Sequence, residues 1–247
     1  MRATGRRILA QTRFETIAVL RNGEQLLLTI LLPVIAVVVL ASTELVPLPE
    51  PRAAAALGGA LAMSVAATAF TSQAIAIAFD RRGGVLRMLG TTPLGPQGLL
   101  AGKLGAVLCV LVVQVVVLAG TAAAVGWRPA GIGPAQLLGG TALVLLGAAT
   151  FVSFALVVGG TLRPEAVLAI ANLLFALMVL GGGLLMPLGL LPEPLGAVMG
   201  YLPPGALGES LRALATTGLV DLTALAVLAV WALLGVGLAS RYFRWDE

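Results

Sequence analysis

Acids that could act as general bases, proton carriers or cation ligands occur at Glu44, Glu50, Asp80, Glu165, Glu193, Glu209 and Asp221. Each falls at the end of an apolar run or between runs, and none stands near the middle of one. Ion-coupled pumping normally depends on ionisable groups held inside the bilayer. This placement therefore argues against a proton-driven carrier, while sodium coupling through backbone carbonyls stays open. The absence of histidine removes His-containing catalytic triads, imidazole metal sites and imidazole proton relays together. A membrane-embedded enzyme is left with little for acid–base work. The single cysteine, Cys109, lies in the apolar run from Val107 to Val113 and reads as a small buried side chain.

The run Gly98-Leu99-Leu100-Ala101-Gly102-Lys103-Leu104 has the outline of a phosphate-binding loop. That loop requires four residues between its glycines and a hydroxyl after the lysine. Here there are three, followed by leucine, so the chain itself is not expected to bind ATP. Uncharged polar groups are better placed. Ser64, Thr68, Thr71 and Ser72 share one helical face at i, i+4, i+7 and i+8, with Gln73 beside them, and Gln114, Ser153 and Asn172 sit at other depths. Small hydroxyl residues let helices approach closely and bond to their own backbone. The rival reading is a polar lining for a substrate route formed by Ser64, Thr68, Thr71, Ser72, Gln73 and Asn172. Gly181, Gly182 and Gly183 read as close packing or a helix break first, and as a hinge second.

The elements that must carry these groups belong in lipid. Of 247 residues, 59% are hydrophobic and 11% charged, and the mean hydropathy is +1.05, well outside the composition of a soluble domain. The fold class expected is an all-α integral membrane protein: one transmembrane domain over 1–247 with six spans, at 26–43, 53–79, 104–125, 135–158, 166–185 and 219–240. Residues 1–25 hold five arginines, with Ala10, Phe14, Ile17 and Ala18 on one face, and predict an interfacial helix. The stretch 80–103 is basic and broken at Pro93 and Pro96. The stretch 186–218 carries five prolines and a leucine repeat at 207, 211 and 214, with Glu209 and Arg212 on another face; it predicts a re-entrant helical segment.

Lysine and arginine set the orientation. Of the 15 basic residues, only Arg52, Arg128 and Arg212 fall on one side of such a layout. The other twelve mark the cytoplasmic side, which places both termini there in a multi-pass cell-membrane protein. The basic balance is thus topological. No basic segment studded with aromatics is present, and nucleic acid is not an expected partner.

The stretch Asp80-Arg81-Arg82-Gly83-Gly84-Val85-Leu86-Arg87-Met88-Leu89-Gly90-Thr91-Thr92-Pro93, with Lys103 ten residues on, resembles the cytoplasmic loop of ABC type-2 exporter permeases. It departs in having Gly84-Val85 for the usual Gly-Thr and Arg87 where an acid is common. A second similarity covers the glycines at 181–183, Met186-Pro187, Leu191-Pro192, Leu195, Leu202-Pro203-Pro204 and Leu211-Arg212, which match the segment before the last span of the drug-resistance and lipid-export branch. The resemblance implies a permease that binds no cofactor itself, with ATP and magnesium on a separate cytoplasmic ABC ATPase. It also implies a second permease copy or paralogue and surrounding membrane lipid. The ATPase would grip the N-terminal helix through Arg6, Arg7 and Arg13, and a coupling helix after the second span through Arg81, Arg82, Gly83, Leu86, Arg87, Leu89, Thr92 and Pro93. The substrate implied is an amphiphile, lipid-like or drug-like. An ion-coupled or passive carrier acting alone is the alternative.

Overall fold

The computed structural model describes residues 2–90, 95–129 and 133–243. Helix α1 (Arg2–Arg21) precedes α2 (Gly23–Leu26), which continues through a π-helical turn (Leu27–Leu31) into α3 (Leu32–Ser42). Next, α4 (Arg52–Ala66), a second π turn (Ala67–Ser72) and α5 (Gln73–Arg82) form one long helix. Then follow α6 (Val85–Gly90), α7 (Gly95–Ala124), α8 (Pro134–Thr161) and α9 (Pro164–Leu180). A 3-10 turn (Leu188–Leu190), α10 (Glu193–Gly200), α11 (Pro203–Thr217) and α12 (Leu222–Tyr242) complete the described chain. Pro134 and Pro164 occupy the first turns of α8 and α9, where the missing amide hydrogen has no intrahelical partner to lose. Asp221 caps α12, its carboxylate accepting from the amides of Thr223 and Ala224 at 2.8 and 3.1 Å.

Among the described residues, four helices have the length and apolarity of a membrane span: Arg52–Arg82, Gly98–Ala124, Pro134–Thr161 and Leu222–Tyr242. The apolar segments expected as the first and fifth spans are shorter, Thr29–Ser42 and Pro164–Leu180. The reason is local. The π turn interrupts the first, and α9 stops at Leu180 because Gly181 to Gly183 follow. At 1.5 Å per residue its 17 residues reach about 25 Å, less than a hydrocarbon core of roughly 30 Å. The third span, in contrast, begins earlier than expected. The stretch from Gly95 to Lys103 is already helical and belongs to α7, so the segment between the second and third spans is shorter than 80–103.

The long helix Arg52–Arg82, expected as the second span, is the axis of the molecule. Its most apolar stretch is 94% buried within the chain, against 28% for α12. On one half α4 packs against α11, α3 and α7, and on the other α5 packs against α8 and α9. Alanine and glycine fill its surface, which keeps the neighbouring backbones close. A side chain on Gly58 would place its Cβ 2.5 Å from the Cα of Arg212 in α11. Phe70 and Phe151 form a tilted pair with centroids 6.5 Å apart, joining this helix to α8 in the largest apolar cluster.

Two expectations change here. Cys109, read as buried, is exposed on the outer face of α7, because an outward position on a span is as apolar as an inward one and the sequence pattern does not separate them. Arg212, read as lying on a face away from the leucines, is 2% exposed. Its guanidinium donates to the carbonyls of Leu184 and Leu185 at 3.1 Å each and pairs with Glu209 at 2.9 Å. Glu209 in turn accepts from the Leu188 amide at 2.7 Å. The irregular backbone after α9 leaves carbonyls without helical partners, and an inserted arginine satisfies them.

Candidate functional site

At one end of the bundle α1, the end of α5, α6 and the start of α7 converge, and most of the basic residues gather there. Helix α1 lies against α7 with Ile8, Gln11, Thr12, Glu15, Thr16, Val19 and Leu20 turned partly inward. Those positions recur at helical spacing and define one packed stripe. Gly102 and Gly105 make the contact close: a Cβ on Gly102 would sit 2.5 Å from Gln11 Cγ, and one on Gly105 2.6 Å from Thr12 Oγ1. The Thr12 hydroxyl donates to the Gly102 carbonyl at 3.3 Å. The expected face of Ala10, Phe14, Ile17 and Ala18 remains exposed, with Phe14 at 69%.

Lys103 stands between those glycines and is buried at 5% exposure. Its ammonium lies 2.7 Å from Asp80 Oδ2 and 3.1 Å from Glu15 Oε1. One cation thereby ties the N-terminal helix, the end of the second span and the beginning of the third. A buried ammonium is costly unless paired and hydrogen-bonded, so the three charges hold one another in register.

The two arginines beside Asp80 behave differently. Arg81 is 8% exposed and points into the protein, where its guanidinium donates to the carbonyls of Gly160 and Leu162 at the end of α8. Expected in the surface a partner grips, it instead closes a helix C-terminus, whose last carbonyls lack partners. Arg82 is outside and pairs with Glu165 at the start of α9.

The turn into α6 runs through Gly83, which ends α5, and Gly84, whose φ of +70° suits glycine. On α6, Leu86 is 2% exposed and packs with Ile77 and Leu99. It anchors the short helix to the spans and is not available to an outside pocket, whereas Met88 is 62% exposed. Arg6, Arg7 and Arg13 are exposed on α1. Arg87 and Leu89 lie on α6; their side chains, like Thr92 and Pro93 altogether, are outside the described residues.

The polar stripe is divided. Ser64, Thr68, Thr71 and Gln73 are buried inside the chain and Ser72 is half-buried, while Asn172 is exposed on α9. Gln114 of α7, 1% exposed, donates to the Thr29 carbonyl at 2.6 Å and to the Thr68 hydroxyl at 2.8 Å. Thr29 and Thr68 both lie in π turns. A π turn misaligns the ladder of backbone bonds, and here the side chain of a third helix takes up a carbonyl at that point. Ser64 Oγ and Thr71 Oγ1 are buried without a hydrogen-bond partner.

The sequence pointed to the junction but missed what locks it. Glu15, Asp80 and Lys103 are the linking residues. Asp80 and Lys103 stood in the motif at 80–103, and the spacing Gly102-Lys103-Leu104-Gly105, a small-residue notch flanking a charge, was a further signal, while nothing marked Glu15 as their partner. No curated protein matches the chain. The family model described as ABC-2 family transporter protein matches residues 32–241, spanning α3 through α12. With a helical bundle wound about a buried second span and a short helix hung between two spans, the chain belongs to the ABC-2 transporter family.

Proposed function

We propose that this protein is the membrane permease subunit of an ATP-binding-cassette exporter, with ATP and magnesium held by a separate cytoplasmic ATPase. The reading places six passes in the cell membrane, counting the two shorter apolar segments. Both termini and the basic junction face the cytoplasm, following the positive-inside rule, and the segment 186–218 folds back on the opposite side. The substrate is an amphiphilic, lipid-like or drug-like molecule taken from the cytosol or inner leaflet, in keeping with spans that carry apolar and hydroxyl groups.

The observation that carries this reading is the construction of the junction. Helix α6 hangs between α5 and α7, Leu86 is seated against both, and Lys103 binds α1 to the same two helices. A partner pressing on α6 and α1 moves the second and third spans as one body, because packed helices shift rigidly and do not deform continuously. Exposed Arg6, Arg13 and Met88 supply a surface for that partner.

The test is purification in mild detergent together with reconstitution. The permease should copurify with an ATPase, and uphill substrate movement in vesicles should require that ATPase and ATP. Uphill transport by the permease alone would overturn the proposal.

A further inference from the structure

Helix α12 is the least covered of the four long apolar helices, and it packs through one side only. Ala224, Leu228, Ala232, Gly235 and Ala239 are buried, where the helix meets α8 and α11. On the opposite side a shallow groove of about 460 Å³ is lined by Val230, Leu233, Leu234, Gly237, Leu238 and Arg241. These positions recur at helical spacing and form one continuous face. No residue of another described helix lines it. Gly237 is its floor: a Cβ there would meet nothing within 4 Å, while Leu233, Leu234 and Arg241, three and four positions away, carry long side chains.

The two ends of the groove differ. Arg241 is exposed, lies 5.8 Å from the centroid of the Tyr242 ring and pairs with no acid among the described residues. Phe243 lies against Gly160, whose carbonyl receives Arg81, so Arg241 stands at the same end of the bundle as the basic junction. Val230, at the other end, is eleven residues earlier, a rise of about 16 Å at 1.5 Å per residue. Half of a hydrocarbon core of roughly 30 Å is about 15 Å. The groove thus runs from the middle of the bilayer to one surface, the length of a single acyl chain. A guanidinium at its polar end matches a phosphate. Between Leu222 and Tyr242 there is no acid to receive the ammonium of a zwitterionic headgroup, so the charge there favours a headgroup with net negative charge.

We propose that this groove binds one anionic phospholipid from the leaflet at the basic end, with an acyl chain laid over Gly237 and the phosphate held by Arg241. The groove opens away from the bundle core and from every buried polar group, so the lipid it holds is a bound component of the protein and distinct from transported cargo.

The test is native mass spectrometry of the full chain in mild detergent, incubated with phosphatidylglycerol or with phosphatidylcholine of the same acyl chains. The wild type should retain one phosphatidylglycerol in preference to phosphatidylcholine. Arg241→Gln should reduce that preference by about 5-fold, the worth of one basic residue near an anionic surface. Arg82→Gln, which alters an exposed arginine outside the groove, should leave it unchanged. Gly237→Leu fills the floor without meeting the rest of the protein, so it should fold normally and lose retention of both lipids. Equal retention of the two lipids by the wild type would overturn the proposal. So would an Arg82→Gln effect as large as that of Arg241→Gln, which would reduce the preference to general basicity, or unchanged retention by Gly237→Leu. A dimer or a bound partner chain that dissociates on Gly237→Leu would give this face to a protein and overturn it equally. The measurement involves no ATPase and no transport, so its failure leaves the exporter reading standing, and failure of ATP-driven transport leaves the lipid site standing.

Discussion

The ammonium of Lys103 lies 2.7 Å from the carboxylate of Asp80, joining the last turn of the second span to the first turns of the third across the segment that carries α6. With Glu15 at 3.1 Å, the pair becomes a three-way clasp that includes the N-terminal helix. Removing Lys103 leaves two acids facing each other in a partly buried site. Lys103→Met should therefore cost about 3–5 kcal/mol, the usual penalty for breaking a buried pair, read as a lower unfolding temperature in detergent. The double variant Lys103→Met with Asp80→Asn should recover part of that loss. An undiminished unfolding temperature in the single variant would remove the clasp from the account.

Adjacent arginines offer a sharper contrast. Arg81→Ala frees the carbonyls of Gly160 and Leu162 and should destabilise the protein by about 3 kcal/mol, the scale of charged hydrogen bonds to buried acceptors. Arg82→Ala removes an exposed pair with Glu165 and should leave the thermal midpoint unchanged. Equal effects from the two substitutions would contradict the inward orientation of Arg81.

Leu86 and Met88 separate anchoring from docking. Leu86→Ala empties a buried position on α6 and should lower stability by about 2–5 kcal/mol. Met88→Asp changes an exposed side chain and should leave folding intact while reducing copurification of the ATPase and transport. Retention of a full complement of ATPase by Met88→Asp would move the docking surface elsewhere.

Gln114→Leu tests the link between the two π turns. Two hydrogen bonds are lost, and the Thr29 carbonyl is stranded. Measured interhelical bonds in membranes suggest about 0.6–1.7 kcal/mol for each. Thr68→Val should cost less, since the bond from Gln114 to the Thr29 carbonyl survives. Denaturation of both variants in one detergent checks the order.

Gly58→Ala probes the close contact between α4 and the backbone of α11. Its new methyl would sit 2.5 Å from a backbone atom of Arg212, which cannot swing aside as a side chain could. Overpacking of this kind costs typically about 1–3 kcal/mol. Gly120→Ala, where nothing lies within 4 Å of the added Cβ, is the control and should be neutral or slightly stabilising because it raises helix propensity. The difference in unfolding midpoint between the two variants is the measurement.

The apolar runs and the prolines opening α8 and α9 placed the helices from local sequence, because span length and backbone rules act locally, although the span expected over 166–185 ran through the glycines at which α9 stops. The resemblance at residues 80–93 likewise fell on the segment that carries α6, whereas the face of α1 that packs runs through Ile8, Gln11, Thr12 and Glu15 and not through Ala10, Phe14, Ile17 and Ala18. What no local rule could settle was which way each helix faces once packed. Leu86 and Arg81 look like surface residues in a basic loop, and Cys109 and Asn172 like interior ones, since lipid and protein core are equally apolar and hydropathy does not distinguish them. The partnering of Lys103 with Glu15, 88 positions earlier in the chain, and of Gln114 with Thr29 depends on contacts between distant segments. Those contacts arise only when the helices close around the second span, where most buried polar groups take partners that the sequence does not name.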